Sequence, residues 1–189
     1  YGVYYASAQQ IPELLREIGR LREITFREAG EGTGKSIDLD EFDEYYSHLF
    51  VWDHTENRIV GAYRLGRTDE IVARYGIQGL YTSTLFAFKK QIIEQISPAL
   101  EMGRSFIQVA CQKNCNSLLS LWIGIWSYVV SFPRYKILFG PVSINNDYAS
   151  ISRQLIANFL RISSFHDDGA KLVKPRKPLR HRPIRGREP

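Results

Sequence analysis

The period of apolar positions changes once between residues 101 and 128, from the repeat of a strand to that of a helix. Residues 101–109 alternate and end in the β-prone run FIQV. Residues 112–117 are polar, and apolar residues then recur every three or four positions over 118–129. A strand that leads into a helix N-terminus collects unpaired backbone N–H groups and a partial positive charge at one point. This corner is therefore a candidate anion site.

The same reasoning predicts the other elements of a mixed α/β layer. Pro12 suits the first turn of a helix, and the helical spacing continues to about Glu28. Two apolar runs flank a polar hairpin at 53–58, and Pro133 breaks the chain before a further strand. The predicted elements are an edge strand at 1–8, helices at 12–28, 92–96 and 149–162, and strands at 48–52, 59–65 and 136–139. Residues 71–91 are ambiguous.

Positive charge is concentrated at one end of the chain. A length of 189 residues suits one domain, and the formal net charge is +5. Eight of the 25 basic residues and one of the 20 acidic residues lie within 171–189, so the remainder carries −2. We predict a domain at residues 1–165 and, at 166–189, a basic, proline-rich tail or linker that is extended and poorly packed.

The tail suggests partners with negative charge. It suits phosphates, an acidic carrier protein or an anionic membrane surface, with contact through residues 171–189; a solvated linker is an equal alternative. Nucleic-acid binding is not expected, because the charge is not spread over a folded face.

Two observations concern the cellular location, and a third concerns the start of the chain. The longest apolar run, residues 118–132, is interrupted and too short to span a bilayer. Cys111 and Cys115 indicate a reducing compartment rather than a disulfide scaffold. We expect a cytoplasmic domain, with the inner face of the membrane as the alternative site. The chain opens on Tyr1, which we interpret as a cut inside a longer protein.

Residues 29–36, AGEGTGKS, fit the phosphate-loop pattern with alanine in the first position. Such a loop holds phosphates when it follows a buried strand and opens a helix. Here a charged amphipathic helix precedes it and the acidic run IDLDEFDEYY follows. We therefore reject a nucleotide triphosphate site.

Six pieces of the chain, taken in order, resemble the GNAT acyltransferase superfamily. The resemblance is strongest to the branch of ornithine-lipid-type N-acyltransferases and autoinducer (acyl-homoserine-lactone) synthases, and to a domain of bacterial proteins labelled hemolysins. Each piece is short, but together they cover most of residues 16–160. They are LREITFREAGEGTGKSIDLDEFD, HLFVW with IVGAYRLGRT, GLYTSTLF, LEMGRSF, NSLLSLWIGI and LFGPVSINNDY.

The resemblance implies a mixed, mostly antiparallel central sheet flanked by helices, with splayed central strands. It implies transfer of a long-chain acyl group, 3-hydroxy acyl included, from acyl-carrier protein or acyl-CoA to the amine of an amino acid or similar acceptor, as in ornithine-lipid synthesis. The donor is a substrate, and no tightly bound cofactor or metal is expected. The alternative is a non-catalytic domain that binds acyl carrier or lipid and serves a neighbouring acyltransferase domain.

Roles for individual residues follow from the resemblance. Glu101 and Arg104 match the Glu-x-x-Arg pair and are the catalytic candidates. The acceptor-binding candidates are Arg22, Phe26, Asp38, Asp40, Asp43 and Arg64. The donor loop, usually (Gln/Arg)-x-x-Gly-x-(Gly/Ala), corresponds to Gln112, Lys113, Asn114, Cys115, Asn116 and Ser117. Both glycines are missing, which argues against coenzyme A as the donor.

Amine acylation needs a group that takes the amine proton, and Glu101 on a central strand is our candidate. An ordinary ion pair with Arg104 is the alternative. A backbone N–H freed by a distortion of this strand would stabilise the developing oxyanion. The acidic cluster binds a cationic head group or is a solvated loop. Arg64 binds a substrate carboxylate or, as we favour, pairs with an aspartate of the cluster.

The remaining chemistry-bearing side chains point to no further site. Cys111 and Cys115 have no nearby histidine, so neither a nucleophile nor a metal site is predicted. The four histidines form no triad-like pattern. Six aromatic residues are candidates for an acyl tunnel, although most are expected in the core: Phe86, Phe88, Phe106, Trp122, Trp126 and Phe139.

Overall fold

The structure, a computed structural model, describes residues 1–144 and 148–178. Its helices are α1 (Pro12–Glu28), α2 (Thr68–Tyr75), α3 (Lys90–Ile96), α4 (Cys115–Ser131), α5 (Ser150–Ser164) and α6 (Asp167–Ala170). Its strands are β1 (Gly2–Ser7), β2 (Ser47–Asp53), β3 (Arg58–Arg67), β4 (Phe86–Phe88), β5 (Ala99–Ile107), β6 (Ile137–Phe139) and β7 (Val173–Pro175). Short 3₁₀ helices lie at Ala8–Gln10, Glu41–Glu44, Ile77–Gly79, Tyr81–Thr84 and Val109–Cys111.

A five-stranded sheet with the order β1-β2-β3-β5-β6 forms the centre of the fold. The pairs β1–β2, β2–β3 and β3–β5 are antiparallel, and β5–β6 is parallel. The predicted mixed, mostly antiparallel sheet with flanking helices is therefore confirmed.

Helices α1 and α4 cover opposite faces of this sheet. Phe50 packs in the cluster that contains Ile18 of α1, whereas its neighbour Leu49 packs with Leu121 and Ile125 of α4. Successive strand residues point to opposite faces, so the two helices must lie on different sides. This alternation places α1 and α4 on either side of β5, the strand that carries Glu101 and Arg104.

The strand-to-helix unit recognised in the sequence is present. β5 ends at Ile107, the 3₁₀ turn Val109–Cys111 follows, and α4 begins at Cys115. The predicted helix at 149–162 appears as α5, and none of its described side chains is buried. In the ambiguous stretch 71–91, the end of α2, two 3₁₀ turns and β4 precede α3.

The first part of the predicted tail is extended, as expected, but it packs against the domain as strand β7. β7 pairs antiparallel with β4, so that Phe88 opposes Val173 and Phe86 opposes Pro175. The Arg176 N–H donates to the carbonyl of Leu85 at 2.8 Å, and its Nε donates to that of Ser83 at 2.7 Å. Proline and lysine are compatible with such an edge strand. The rest of the predicted tail, 179–189, lies outside the described residues.

Among the residues that the structure describes, no helix is long and apolar enough to cross a bilayer.

Candidate active site

A cleft opens where β5 and β6 part. The two strands pair at Ala99–Ile137, Leu100–Leu138 and Glu101–Phe139, after which β5 continues to Ile107, whereas β6 ends at Phe139. The space between β5 and the residues that follow β6 has a volume of about 1090 Å³. The predicted splaying is present at this pair, in which β6 is the edge strand of the sheet.

The cleft is lined by both apolar and polar side chains. Its apolar lining includes Phe26, Leu85, Met102, Trp122, Leu138, Phe139 and Val142. Its polar lining includes Glu28, Glu31, Tyr63, Tyr81, Arg104 and Gln112. The cleft therefore offers contacts both to an acyl chain and to a polar acceptor.

The aromatic residues considered for a tunnel divide between cleft and core. Trp122 and Phe139 line the cleft. Phe106 is buried among the side chains under α1, and Phe88 packs against the cluster around Ile93. Trp126 lies on the outside of α4 and is 70% exposed.

A β-bulge distorts β5 beside the cleft. Ala62 pairs with Phe106 and Arg64 with Gly103, so two residues of β5 oppose the single residue Tyr63. One of the two, Arg104, has a φ of 51°, in the left-handed region. A bulge takes backbone groups out of the regular ladder. The strand distortion on which the expected oxyanion site depends is thus present; the identity of the N–H donor remains a prediction.

The acidic cluster is a buried ion network, not a solvated loop. Arg22, on the inner face of α1, donates to Asp38 at 3.0 Å and to Asp43 at 2.8 and 3.1 Å. It also donates to the backbone carbonyl of Asp38. The side chains of all three residues are at most 3% exposed. The network joins α1 to the 3₁₀ helix Glu41–Glu44, and the solvated-loop alternative is wrong.

Arg64 belongs to the same network. Its Nη1 lies 2.5 Å from Asp40 and 3.2 Å from Asp43, as in the pairing that we favoured from the sequence. The guanidinium also lies within 6 Å of three aromatic ring centres, those of Phe42, Tyr46 and Tyr81. Burial alone would lower the pKa of Arg64, but Asp43 and Asp40 outweigh it and raise the pKa.

Ion pairing holds Asp43 in its charged form. Burial acts to raise the pKa of Asp43, whereas Arg22, Arg64 and the N–H of Asp40 together lower it to about 2. Nε2 of the neighbouring His48 donates to the backbone carbonyl of Asp43 at 2.8 Å, and burial lowers the pKa of the His48 imidazole. At neutral pH the network therefore contains an ionised Asp43 beside a neutral His48.

Glu101 lies behind the cleft wall. Its carboxylate accepts hydrogen bonds from the Tyr46 hydroxyl and from the backbone N–H groups of Tyr81 and Thr82. The two N–H groups lie at 3.1 and 2.5 Å, respectively. The side chain is buried and is not among the cleft-lining residues of the described chain. The alternative of an ion pair with Arg104 is wrong, because Arg104 faces Asp38 and Asp40, each at 3.5 Å. Burial, followed by the charge of Glu101, raises the pKa of Tyr46.

The contacts of Glu101 assign it a structural task whatever its chemical role. They hold the 3₁₀ helix Tyr81–Thr84, whose first residue forms part of the cleft. Whether Glu101 also accepts a proton from the amine stays a prediction.

The predicted donor loop lies at the N-terminus of α4, close to the cleft. Gln112 lines the cleft. Asn114 caps the helix by accepting the N–H of Asn116 at 3.0 Å, and Ser117 donates to the carbonyl of Cys111 at 3.0 Å. Lys113 and Cys115 are exposed, and Cys111 is buried. The corner has the predicted strand-to-helix geometry; its contact with a donor is untested.

The loop that fitted the phosphate pattern binds a carboxylate of the protein itself. It follows helix α1, and Thr33 donates to Glu23 through its N–H at 2.9 Å and its hydroxyl at 2.6 Å. Gly34 donates a further N–H at 3.0 Å. Hydrogen bonds from Thr33 and Arg27 lower the pKa of Glu23 to about 2. Glu23 therefore occupies the N–H groups that a phosphate would need.

Phe26 is the acceptor-site candidate that lies at the cleft surface, next to Arg104. Arg22, Asp38, Asp43 and Arg64 are buried behind it. Sequence reasoning missed Tyr81, Tyr63 and Tyr46. Tyr81 lies in the recognised piece GLYTSTLF, but the ambiguous pattern of residues 71–91 did not show that it reaches the cleft.

A mostly antiparallel sheet whose parallel edge pair opens into a cleft lined by apolar and polar side chains is the architecture of an α/β domain of the acyltransferase class. The chain belongs to the acetyltransferase (GNAT) domain family, which it matches over residues 21–122.

The chain is also similar to three bacterial acyltransferases. It is 38% identical to a glycine N(alpha)-acyltransferase of Bacteroides thetaiotaomicron and 36% identical to one of Phocaeicola vulgatus; each match covers 94% of the chain and 55% or 57% of the relative, respectively. It is 32% identical to an L-ornithine N(alpha)-acyltransferase of Rhodobacter capsulatus, over 75% of the chain and 57% of that relative. The chain thus spans a little more than half the length of these relatives.

Proposed function

We propose that this domain is an N-acyltransferase that moves a long-chain acyl group from a thioester donor to the amine of an amino acid. The cleft between the parted strands β5 and β6 carries the proposal, because its lining combines apolar side chains that suit an acyl chain with polar side chains that suit an acceptor. The three relatives are named as acyltransferases of glycine or L-ornithine, and these names support an amino acid as the acceptor.

The reaction exchanges a carbon–sulfur bond for a carbon–nitrogen bond. The unprotonated amine nitrogen attacks the thioester carbonyl carbon and loses one proton as the carbon–nitrogen bond forms. The carbon–sulfur bond breaks, and the departing thiolate takes up one proton. Negative charge develops on the carbonyl oxygen before the bond breaks. Backbone groups released from the ladder by the bulge at Arg104 lie beside the cleft, where they would stabilise this charge.

Glu101 remains our candidate for the proton acceptor, with the proton transferred indirectly. Tyr46, Tyr81 and Thr82 already donate to its two oxygens, and the carboxylate lies behind the cleft wall. A proton from the amine would therefore reach Glu101 through an intervening hydroxyl or water molecule.

Acyl-carrier protein is the donor that we favour over coenzyme A. The loop Gln112–Ser117 lacks both glycines that let a backbone approach a pyrophosphate. We also propose that the basic C-terminal segment contributes to binding an acidic carrier or an anionic membrane surface.

The test is to incubate the chain with long-chain acyl-carrier protein or acyl-CoA and a panel of amines, and to detect the N-acyl product by mass spectrometry. The panel contains glycine, ornithine, lysine and glutamine. Formation of an N-acyl amino acid supports the proposal. Clear carrier binding without product from any donor would instead support a non-catalytic module, which the altered loop favours.

A role for Glu101 in proton transfer needs a separate readout, because Glu101→Gln also disturbs the hydrogen bonds that position Tyr81. We expect the variant to lower kcat by about 10²- to 10⁴-fold, the contribution of a positioned general base, with the KM for the acyl donor unchanged. Glu101→Asp is the matched control, since it also disturbs the contacts that position Tyr81 but keeps a carboxylate. An equal loss of kcat in both variants would reduce Glu101 to its structural task.

A further inference from the structure

Arg104 is one of the residues that line the cleft. None of its N–H groups makes a hydrogen bond to another residue in the described chain. Its Nε is buried without a partner, and its contacts with Asp38 and Asp40 are both 3.5 Å long. Donor-rich groups that are mostly buried normally have hydrogen-bond partners. Arg104 therefore has donor capacity that the protein leaves unused.

The other two arginines of the network are different. Arg22 makes four hydrogen bonds to Asp38 and Asp43, and Arg64 contacts Asp40 at 2.5 Å. Nη2 of Arg64 is also without a hydrogen-bond partner in the described chain, but Arg64 is not among the described residues that line the cleft. Each of these two side chains is 1% exposed, whereas that of Arg104 is 19% exposed. Arg22 and Arg64 thus serve the fold, and Arg104 faces the cleft.

Arg104 is also held in place by its surroundings. The ring centres of Phe26 and Tyr81 lie 6.0 and 5.2 Å from its guanidinium carbon. Its backbone has the left-handed φ of 51°, which is unfavourable for arginine and is maintained by the bulge. A fixed guanidinium with free donors is suited to bidentate binding of a carboxylate.

We propose that Arg104 binds the α-carboxylate of the acceptor and so selects α-amino acids. This inference rests on the proposed function and adds the chemical group by which the acceptor is recognised. One carbon atom separates that carboxylate from the amine that is acylated. A carboxylate on Arg104 therefore keeps the amine close to the bulge, where the thioester carbonyl would lie.

The charges of the site are compatible with this assignment. Three arginines and three aspartates (Arg22, Arg64 and Arg104 with Asp38, Asp40 and Asp43) balance to zero. Glycine enters as a zwitterion without net charge. Its carboxylate would displace only the two long contacts of Arg104, and its ammonium would be offset by the aspartates so released.

The first experiment uses the unmodified chain and two acceptors, glycine and glycinamide. Glycinamide keeps the amine and removes the carboxylate charge. We expect glycine to have the higher kcat/KM by roughly 10- to 150-fold, the effect of one charge-assisted hydrogen bond. Rates are compared per concentration of unprotonated amine, since the two amines differ in pKa. Equal reactivity would overturn the carboxylate site while leaving the acyltransferase proposal intact.

The second experiment assigns the effect to Arg104. In Arg104→Gln the preference for glycine over glycinamide should fall to near one, with the KM for the acyl donor unchanged. Arg104→Lys, which keeps the charge without the planar fork, should recover part of the preference. Arg134→Gln is the matched control, because Arg134 contacts Asp69 and Glu70 at the surface. A preference that survives in Arg104→Gln would overturn the assignment.

A binding measurement keeps the inference testable even if no product forms. Calorimetric titration with glycine and glycinamide should show binding of glycine alone, lost in Arg104→Gln and retained in Arg134→Gln. Circular dichroism establishes that each variant is folded. Failure of glycine to bind would overturn the carboxylate site, whereas binding without product would overturn the proposed activity.

Discussion

Replacing Asp43 by asparagine would break the buried ion network at its centre. Asp43 accepts two hydrogen bonds from Arg22, lies 3.2 Å from Arg64 and accepts the Asp40 N–H at 2.9 Å. Removing one partner of a buried ion pair costs about 3–5 kcal/mol, because the remaining charge stays buried without compensation. In a chain of this size the loss corresponds to a decrease in Tm of roughly 6–20 °C.

The same residue makes stability depend on pH in a defined direction. The pKa of Asp43 falls from 3.8 to about 2 on folding, and at about 1.4 kcal/mol per pKa unit this shift contributes roughly 2–3 kcal/mol. A lowered folded-state pKa stabilises the protein above the unfolded-state value, and this stability is lost as the pH falls from about 4 through 2. By pH 3 the loss is roughly 1 kcal/mol.

The assay is urea unfolding at pH 7 and at pH 3, followed by the fluorescence of the three tryptophans. We expect Asp43→Asn to be the less stable protein at pH 7, with a smaller difference from the unmodified chain at pH 3. Glu17→Gln is the control, since the Glu17–Arg20 pair is at the surface and contributes at most about 1 kcal/mol. A difference below 1 kcal/mol at pH 7, or one that does not shrink in acid, would refute the reasoning.

Two further predictions use matched pairs at the cleft. A methyl group at Gly140 would overlap the Met102 carbonyl oxygen, so Gly140→Ala should lower the free energy of unfolding by about 1–3 kcal/mol. Gly103 faces open space, so Gly103→Ala should change it by no more than about 0.5 kcal/mol. Equal effects of the two variants in thermal unfolding would contradict this prediction. Trp122 lines the cleft, so Trp122→Ala should raise the KM for a long-chain donor about tenfold, the effect of losing roughly 50–60 Å² of apolar contact. Trp126 lies outside the cleft, so Trp126→Ala should leave this KM unchanged. Equal effects of the two variants in donor titrations would show that Trp122 does not contact the acyl chain.

The elements of the fold were largely readable from the sequence, because the period of a pattern is a local property. Pro12 and the apolar spacing after it predicted α1 within the bounds that the structure has. The hairpin between β2 and β3 was found in the same way. β4 and β7 were missed, because each is three residues long and gains its pairing from a segment more than 80 residues away.

The partners of charged side chains were less predictable than the residues themselves. Glu101 and Arg104 are three residues apart and on the same strand, which made an ion pair a natural alternative. The bulge turns Arg104 towards Asp38 and Asp40, while Glu101 finds the N–H groups of the 3₁₀ helix Tyr81–Thr84. A bulge depends on the register between strands, which no pattern within β5 reveals.

The three arginines of the network show why residue type alone does not define a role. All three have the same donors, yet only distance and burial separate those that hold the fold from the one available to a ligand. Arg22 and Arg64 satisfy buried aspartates at hydrogen-bonding distance, so losing either would leave a buried charge. Arg104 contacts the same aspartates at 3.5 Å from the cleft side. The buried network behind it would fix its position without consuming its donors, as recognition of an acceptor requires.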